Sequence, residues 1–152
     1  MTGKITGNGG REVMPIITKD TYMKLPIEDI EIIEQRNGKI KITTKEGSVF
    51  RVSGKISDIA ELLGGKCFYR VMKSVIVNFN RVESMGNCII HFESGNAFGV
   101  GKNNFMKARR AFKNYLYGYP PFLRADAYNR ETHLMVAEKT ELDEFEQDDN
   151  DS

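Results

Sequence analysis

The densest apolar run in this sequence is Val-Ile-Val at residues 75–77, and Ser74 and Asn78 close it on either side. A short run of β-branched residues between polar turn formers is typical of a buried strand with a loop at each end. The surrounding stretch, residues 67–81, is punctuated by basic side chains: Arg70, Lys73 and Arg81. On composition alone, these cations do no more than keep a core strand soluble.

The chain upstream of this run alternates in the manner of β-structure. Residues 39–43 alternate strictly, so their isoleucines face inward while Lys39 and Lys41 face outward. Glu46-Gly47 supplies a tight turn into a second strand over residues 48–52, and Arg36-Asn37-Gly38 forms the turn at the other end of the first. The pattern therefore predicts a hairpin with a polar turn at each end of its first strand.

Other segments extend this pattern. Residues 26–34 predict a strand with a bulge or a turn, residues 82–92 predict a hairpin around Gly86-Asn87, and residues 97–100 predict a last strand. The period changes to that of a helix over residues 54–63, which Ser53 or Ser57 could cap and Gly64-Gly65 would end. A second helix follows residue 104, with these side chains on one face: Phe105, Ala108, Phe112 and Leu116. The predicted fold class is mainly β with short helices (α+β).

Composition predicts one domain flanked by two different ends. Residues 1–19 lack a periodic pattern and predict a flexible arm; residues 20–117 form the domain, and residues 118–152 form an extension, disordered beyond about residue 138. Residues 138–152 carry a net charge of −7, and since the whole chain carries +1, the rest carries +8. A basic body indicates a polyanionic partner, although a modest cationic excess is also common in proteins that bind no anion.

Few residues suit catalysis or metal binding. The two cysteines, Cys67 and Cys88, and the two histidines, His91 and His133, form no ligand motif, so we expect no metal and no cofactor. No nucleophile motif is present, and we expect no enzyme activity. Neither a membrane-spanning run nor a signal peptide is evident, so the expected location is the cytoplasm.

The order of residues around the central run is more informative than its composition. Phe68-x-Arg70-x-x-Lys73-Ser74-x-x-Val77-Asn78, followed by Val82, resembles the central signature of the LytTR DNA-binding domain family. The resemblance covers about residues 25–115, and it departs from the family at Met72, where relatives often carry His. It implies small antiparallel sheets with connecting helices, in a bacterial transcription regulator whose inter-strand loops enter the major grooves of double-stranded DNA. No room remains for a receiver domain, so the resemblance indicates a standalone regulator.

The resemblance also implies roles for individual residues. The base-reading positions of the family fall on Lys39 or the adjacent Asn37, on Lys73, and on Lys102, where relatives commonly carry Arg. Candidates for contacting phosphate or for positioning a loop are Arg36, Arg70, Ser74, Asn78, Asn103 and Lys107. For Arg70 the alternatives are a phosphate or a carboxylate such as Glu83, and for Ser74 and Asn78 a bond to loop backbone that holds Lys73 is favoured over a phosphate.

Two other functions stay open on the sequence. The chain could be a protein-interaction module, held by a partner or inhibitor protein, with DNA binding secondary. RNA binding is less favoured because no aromatic pair offers a stacking platform for bases. Self-association on repeated DNA sites is a further expectation from the family.

Overall fold

The computed structural model describes residues 5–6, 12–65, 67–119 and 123. The chain divides into two compact units, Met1–Val100 and Gly101–Ser152. The expected disordered segment beyond residue 138 lies outside the described residues, as do residues 1–4 and 7–11 of the expected arm. Across the described residues the fold is mostly β, with three antiparallel sheets and two helices, which confirms the predicted class.

The first sheet begins inside the segment expected to be a flexible arm. Its strands are β1 (Ile5–Thr6), β2 (Glu12–Ile17) and β3 (Tyr22–Pro26), in that order. In β2, these side chains are buried: Val13, Met14 and Ile16. The expectation of an arm is therefore wrong for residues 12–17. Pro15 had obscured the strand, but it is exposed and lies past the two β2 residues that pair with β1, so its missing N–H costs little there.

The largest sheet has five antiparallel strands and contains the central apolar run. The strands are β4 (Ile30–Arg36), β5 (Lys39–Thr44), β6 (Val49–Ser53), β7 (Phe68–Met72) and β8 (Val75–Asn78), in the order β6-β5-β4-β8-β7. Val75, Ile76 and Val77 are buried, as the sequence predicted, and Asn78, which was expected to close the run at a turn, is buried with them. A short 3-10 turn, Ile27–Asp29, precedes β4, and the register shifts between Ile30 and Ile32, so the predicted turn and bulge are both present.

One face of this sheet packs against helix α1 (Ile56–Leu62). Alternation in β5 turns its two isoleucines toward this face and its lysines away from it. The buried cluster consists of Met14, Ile16, Leu25, Ile27, Ile30, Ile33, Ile40, Ile42, Ile56, Leu63 and Ile76. Burying side chains of this size stabilises the fold by about 1.5–3 kcal/mol each before entropy is counted.

The start of α1 is held differently from the prediction. Neither Ser53 nor Ser57 caps it; the N-cap position is Lys55, whose side chain makes no capping bond. Instead, the N–H of Ile56 donates to Oε1 of Gln35 at 2.8 Å. The cap is thus supplied from the end of β4, which local sequence does not reveal.

The third sheet consists of β9 (Val82–Gly86), β10 (Ile89–Phe92) and β11 (Ala97–Gly99), in the order β11-β10-β9. The β9–β10 turn has Asn87 and Cys88 at positive φ, one residue later than the predicted Gly86-Asn87 turn. The loop that follows β10 is tied to β4 by the buried carboxylate of Glu31. That carboxylate accepts hydrogen bonds from Oγ of Ser94 at 2.5 Å and Nδ2 of Asn96 at 3.0 Å.

The second unit contains helix α2 (Lys102–Leu116). Phe105, Ala108 and Phe112 are buried at helical spacing, as predicted. Leu116 was expected on the same buried face, but it is 43% exposed because it lies in the last turn of the helix.

Candidate nucleic-acid interface

Two turns meet at one end of the five-stranded sheet. The β4–β5 turn consists of Asn37-Gly38 and the β7–β8 turn of Lys73-Ser74. β4 and β8 are adjacent antiparallel strands, and the N–H of Gln35 donates to the carbonyl of Ser74 at 2.9 Å. We call the end of the sheet formed by these two turns the loop end. It brings together two of the three segments that the family resemblance singled out.

The β4–β5 turn is a tight two-residue hairpin loop. Asn37 and Gly38 have φ of 54° and 76°, and Arg36 pairs with Lys39 to close the loop. Two successive positive φ angles are those of a type I′ turn, which matches the twist of the flanking strands and favours Asn-Gly. The side chain of Asn37 is therefore exposed at the tip of a conformationally restricted loop.

The β7–β8 turn is held by Arg70. Its Nη2 and Nε atoms donate to the carbonyl oxygen of Lys73 at 2.7 and 3.2 Å. The guanidinium of Arg70 thus binds the backbone of the turn and not the carboxylate of Glu83, while its contact with a phosphate stays a prediction. The side chain of Lys73 is left exposed while its carbonyl is fixed by a charge-assisted pair of bonds.

Asn78 lies at the opposite end of β8 and is buried, with 1% of its surface exposed. Its Nδ2 donates to the carbonyl of Ile30 at 2.8 Å, and its Oδ1 accepts from the N–H of Asn80 at 2.9 Å. A phosphate contact by Asn78 is wrong for this reason, and so is a role in holding Lys73. Ser74 is half-buried at the loop end and joins β4 through its carbonyl.

The strands next to the loop end carry four cations on their outer face. Alternation and register place Arg36, Lys39, Lys41 and Arg51 on the side of the sheet opposite the α1 core. We call these four residues the cationic face. They line an open groove of about 400 Å³ together with Glu34, whose carboxylate lies 3.9 Å from Nζ of Lys41. Nζ of Lys39 donates to Oγ of Ser53 at 3.2 Å, along the face and not out from the turn.

Sequence reasoning did not include Lys41 or Arg51 in the site. The outward position of Lys41 was predicted from alternation, but its neighbour on β6 was not. The register pairs Lys41 directly with Arg51. The signal that could have found the pair was the Glu46-Gly47 turn, which fixes β5 against β6.

The third predicted segment belongs to the second unit. Lys102 and Asn103 are exposed in the first turn of α2, and Lys107 is exposed one turn after Asn103. The N-cap residue, Gly101, offers no side-chain cap, and the first turn contains no acid. The first N–H groups of this helix therefore keep the partial positive charge that attracts anions.

Within the described ranges, no cluster of three or more histidine, cysteine, aspartate or glutamate residues could hold a metal ion. No helix in the part of the chain that the structure describes is long and apolar enough to cross a membrane.

Comparison with known proteins agrees with this architecture. One similar solved structure is the LytTr DNA-binding domain of a Bacillus cereus protein described as a putative methyl-accepting/DNA response regulator. It is 18% identical, with a TM-score of 0.55, and the match covers 70% of this chain and 97% of that one. At this identity the match shows the fold alone. Comparison with curated proteins finds no match.

The family comparison identifies the chain more directly. The family model described as LytTr DNA-binding domain matches residues 20–113, which is more than half of the sequence. This span agrees with the resemblance seen around the central motif. The family is defined by DNA binding and not by an enzymatic activity. The chain therefore belongs to the LytTR DNA-binding domain family.

Proposed function

We propose that this protein is a transcription regulator that binds specific sequences of double-stranded DNA by placing the turns of its loop end in the major groove. The observation that carries the proposal is the pair of adjacent turns, Asn37-Gly38 and Lys73-Ser74, each with an exposed polar side chain on a fixed backbone. Fixed backbone matters because ordering a loop on binding would cost affinity.

The two exposed side chains suit different bases. The amide of Asn37 can donate to N7 of adenine while its oxygen accepts from N6, which is the paired geometry that recognises this base. The ammonium of Lys73 can donate to O6 and N7 of guanine. Since the side chain of Lys39 lies along the strand toward Ser53, Asn37 is the better base reader of the two candidates in the first loop.

The spacing of the turns suits one stretch of DNA. The middle of the β4–β5 turn and the middle of the β7–β8 turn are two strand spacings apart, or about 10 Å. A major groove is about 12 Å wide, so both turns can approach the same segment of duplex together.

The N-terminus of α2 would supply a further contact. The family resemblance matches Lys102 to a position where relatives commonly carry Arg. Asn103 and Lys107 extend the exposed polar surface along the helix. A lysine lacks the planar fork of arginine, so we assign Lys102 a less selective base contact. The uncapped N–H groups beside it suit a phosphate, with Asn103 and Lys107 as supporting donors.

Selection of bound duplexes from a random DNA pool tests the function. Asn37→Ala and Lys73→Ala should each weaken binding to the selected site by about 1–3 kcal/mol and relax the preference at one base pair. The matched control is Lys24→Ala, which removes an exposed lysine from the first sheet. Circular dichroism would verify that each variant folds. If the parent protein selects no sequence, or if both loop variants bind every duplex as the parent does, the proposal is wrong.

A second candidate function, binding a protein partner, is favoured by one observation. Ile17 and Tyr22 face each other at the end of the β2–β3 hairpin and are 68% and 82% exposed. We propose a second copy of the chain bound at a repeated DNA site as the partner. Sedimentation velocity with a two-site duplex tests this: Ile17→Ser with Tyr22→Ser should abolish cooperative loading, and unchanged cooperativity would exclude the hairpin.

A further inference from the structure

The cationic face places like charges directly opposite each other. Arg36 is the cross-strand partner of Lys39, and Lys41 is the cross-strand partner of Arg51. Directly opposed residues in an antiparallel pair have Cβ atoms about 4.5–5.5 Å apart, and like charges at this distance destabilise the sheet. One pair joins β4 to β5 and the other joins β5 to β6, and Glu34, the cross-strand partner of Lys41 on β4, offsets only part of their repulsion.

Little of this charge is neutralised within the protein. Across the described residues, Lys41 is the only member of the cationic face with a carboxylate within 4 Å, and that carboxylate is Glu34 at 3.9 Å. The side chains of Lys41 and Glu34 are 44% and 29% exposed, so water screens the pair. Four cations against one acid leave this small area strongly positive.

The positive charge of the cationic face ends abruptly on one side and continues into the loop end on the other. Beyond Lys41 and Arg51, the next cross-strand pair on the same face is Thr43 with Val49, which carries no charge. In the other direction the face runs into the loop end, where the β4–β5 turn joins Arg36 to Lys39. The cations are therefore confined to the half of the face that adjoins the turns.

We propose that the cationic face binds the sugar–phosphate backbone of the same duplex whose bases the loop end contacts. The proposal rests on the proposed function and adds Lys41 and Arg51 to the interface. The four cations span three strands and two residue pairs, which suits a row of phosphates more than a single small anion. A backbone that flanks the groove occupied by the turns would lie across the adjoining strands, so the two contacts are made together and fix the protein on the duplex.

The first test removes the two added cations. Lys41→Gln with Arg51→Gln should weaken binding to the selected duplex and to a scrambled duplex by the same factor, roughly tenfold near 0.1 M salt, because phosphate contacts do not depend on sequence. The slope of log affinity against log salt should become shallower by about 0.9 for each phosphate that the variant no longer neutralises. Fluorescence anisotropy over a series of salt concentrations measures both quantities.

The control has the same change in net charge at a different place. Lys19→Gln with Lys24→Gln removes two exposed lysines that lie in or beside the first sheet. It should change affinity by less than about twofold and leave the salt slope as in the parent, since distant surface charges are screened beyond about 10 Å at this salt. Equal losses in both double variants would overturn the proposal, because net charge alone would then explain the effect.

A second variant tests for a gain in DNA affinity, which a misfolded protein would not show. Glu34→Gln removes the only carboxylate that lies beside these cations in the described groove. Binding to both duplexes should tighten, about two- to fivefold at low salt, with the gain shrinking as salt rises. Unchanged or weaker binding by a folded Glu34→Gln protein would contradict the proposal.

Failure of this proposal and failure of the proposed function give different results. If the parent binds selected and scrambled duplexes with equal affinity, the proposal of sequence-specific recognition is wrong. In that case, an equal loss of affinity for both duplexes in the double variant of Lys41 and Arg51 still supports the backbone contact. If the parent discriminates but the double variant binds as the parent does, the proposed function stands and the cationic face is not an interface.

Discussion

The two ends of β8 resemble each other in sequence and differ in the structure. Ser74 and Asn78 are both small polar residues that close the same buried run. At the Ser74 end, the turn is exposed and its backbone is held by Arg70. At the Asn78 end, the amide side chain is buried and joins β8 to the start of β4.

The two ends of β8 differ because each lies beside a different part of β4. Ser74 lies beside the last residues of β4, where the chain leaves the sheet in an exposed turn. Asn78 lies beside the first residues of β4, where a 3-10 turn and a bulge interrupt regular pairing and leave the carbonyl of Ile30 to be satisfied. The side chain of a polar residue at a strand end is thus available for binding DNA only where the backbone N–H and C=O groups beside it already have hydrogen-bond partners.

The largest effect is expected from removing the amide at the buried end. Asn78→Ala leaves the Ile30 carbonyl without its donor and the Asn80 N–H without its acceptor, so the free energy of unfolding should fall by about 2–4 kcal/mol. Urea unfolding followed by circular dichroism measures this. Ser74→Ala is the matched control at the other end and should change stability by no more than about 0.5 kcal/mol. Similar losses in the two variants would remove the contrast between the ends.

A smaller effect, on DNA binding, is expected from Arg70 at the exposed end. Arg70→Lys keeps the charge but cannot place two donors on the Lys73 carbonyl as the guanidinium does. The β7–β8 turn would then have to be ordered on binding, at a cost of about 0.5–1.5 kcal/mol of affinity for the selected duplex. Fluorescence anisotropy with that duplex measures the loss.

The salt dependence separates this positioning role from a phosphate contact by Arg70. Because Arg70→Lys retains the charge, the salt slope should equal that of the parent. In Arg70→Met, a phosphate contact would lower the slope by about one unit, whereas a positioning role leaves it unchanged. A double variant with Lys73→Ala should lose less than the sum of the two single losses, since both act through one turn.

Much of the fold could be predicted from the local pattern of apolar and polar residues. The buried run at residues 75–77 and the alternation at residues 39–43 depend only on neighbours in sequence, and both strands form as predicted. The family motif then located the β7–β8 turn with Lys73. Residues 12–17 were missed because Pro15 interrupts an apolar pattern that only the pairing with β3 completes.

The parts that could not be predicted depend on distant partners or on strand irregularity. Asn78 binds the carbonyl of a residue 48 positions away, and the capping of α1 by Gln35 spans 21 positions. Arg70 and Lys73 are only three residues apart, but their hydrogen bond spans a register shift between Arg70 and Met72 that the sequence does not reveal. The pairing of Lys41 with Arg51 likewise needs the register of β5 against β6.

An effect on stability that is smaller than that of Asn78→Ala is expected at the tip of the exposed end. Gly38 has φ of 76° and open space where a Cβ would lie, so Gly38→Ala would be strained by its backbone and not by a clash. We expect the free energy of unfolding to fall by about 1 kcal/mol. Gly38→Asn should lose less, because asparagine tolerates this region. Equal losses in a urea titration would contradict the conformational explanation.

The smallest effect is expected from deleting the acidic segment, residues 138–152. This deletion should affect DNA binding at the exposed end of β8 and not the buried end. We propose that residues 138–152, with a net charge of −7, compete with DNA for the positive surface of the chain. Deleting them should tighten binding to a scrambled duplex at low salt, by less than about 1 kcal/mol, and the gain should vanish as the Debye length shortens to about 8 Å at physiological salt. Replacing the eight acids of the segment with their amides is the matched control for its length and should give the same gain. If neither variant binds more tightly at low salt, the segment does not screen the loop end, and the difference between the two ends of β8 is a property of the folded sheet alone.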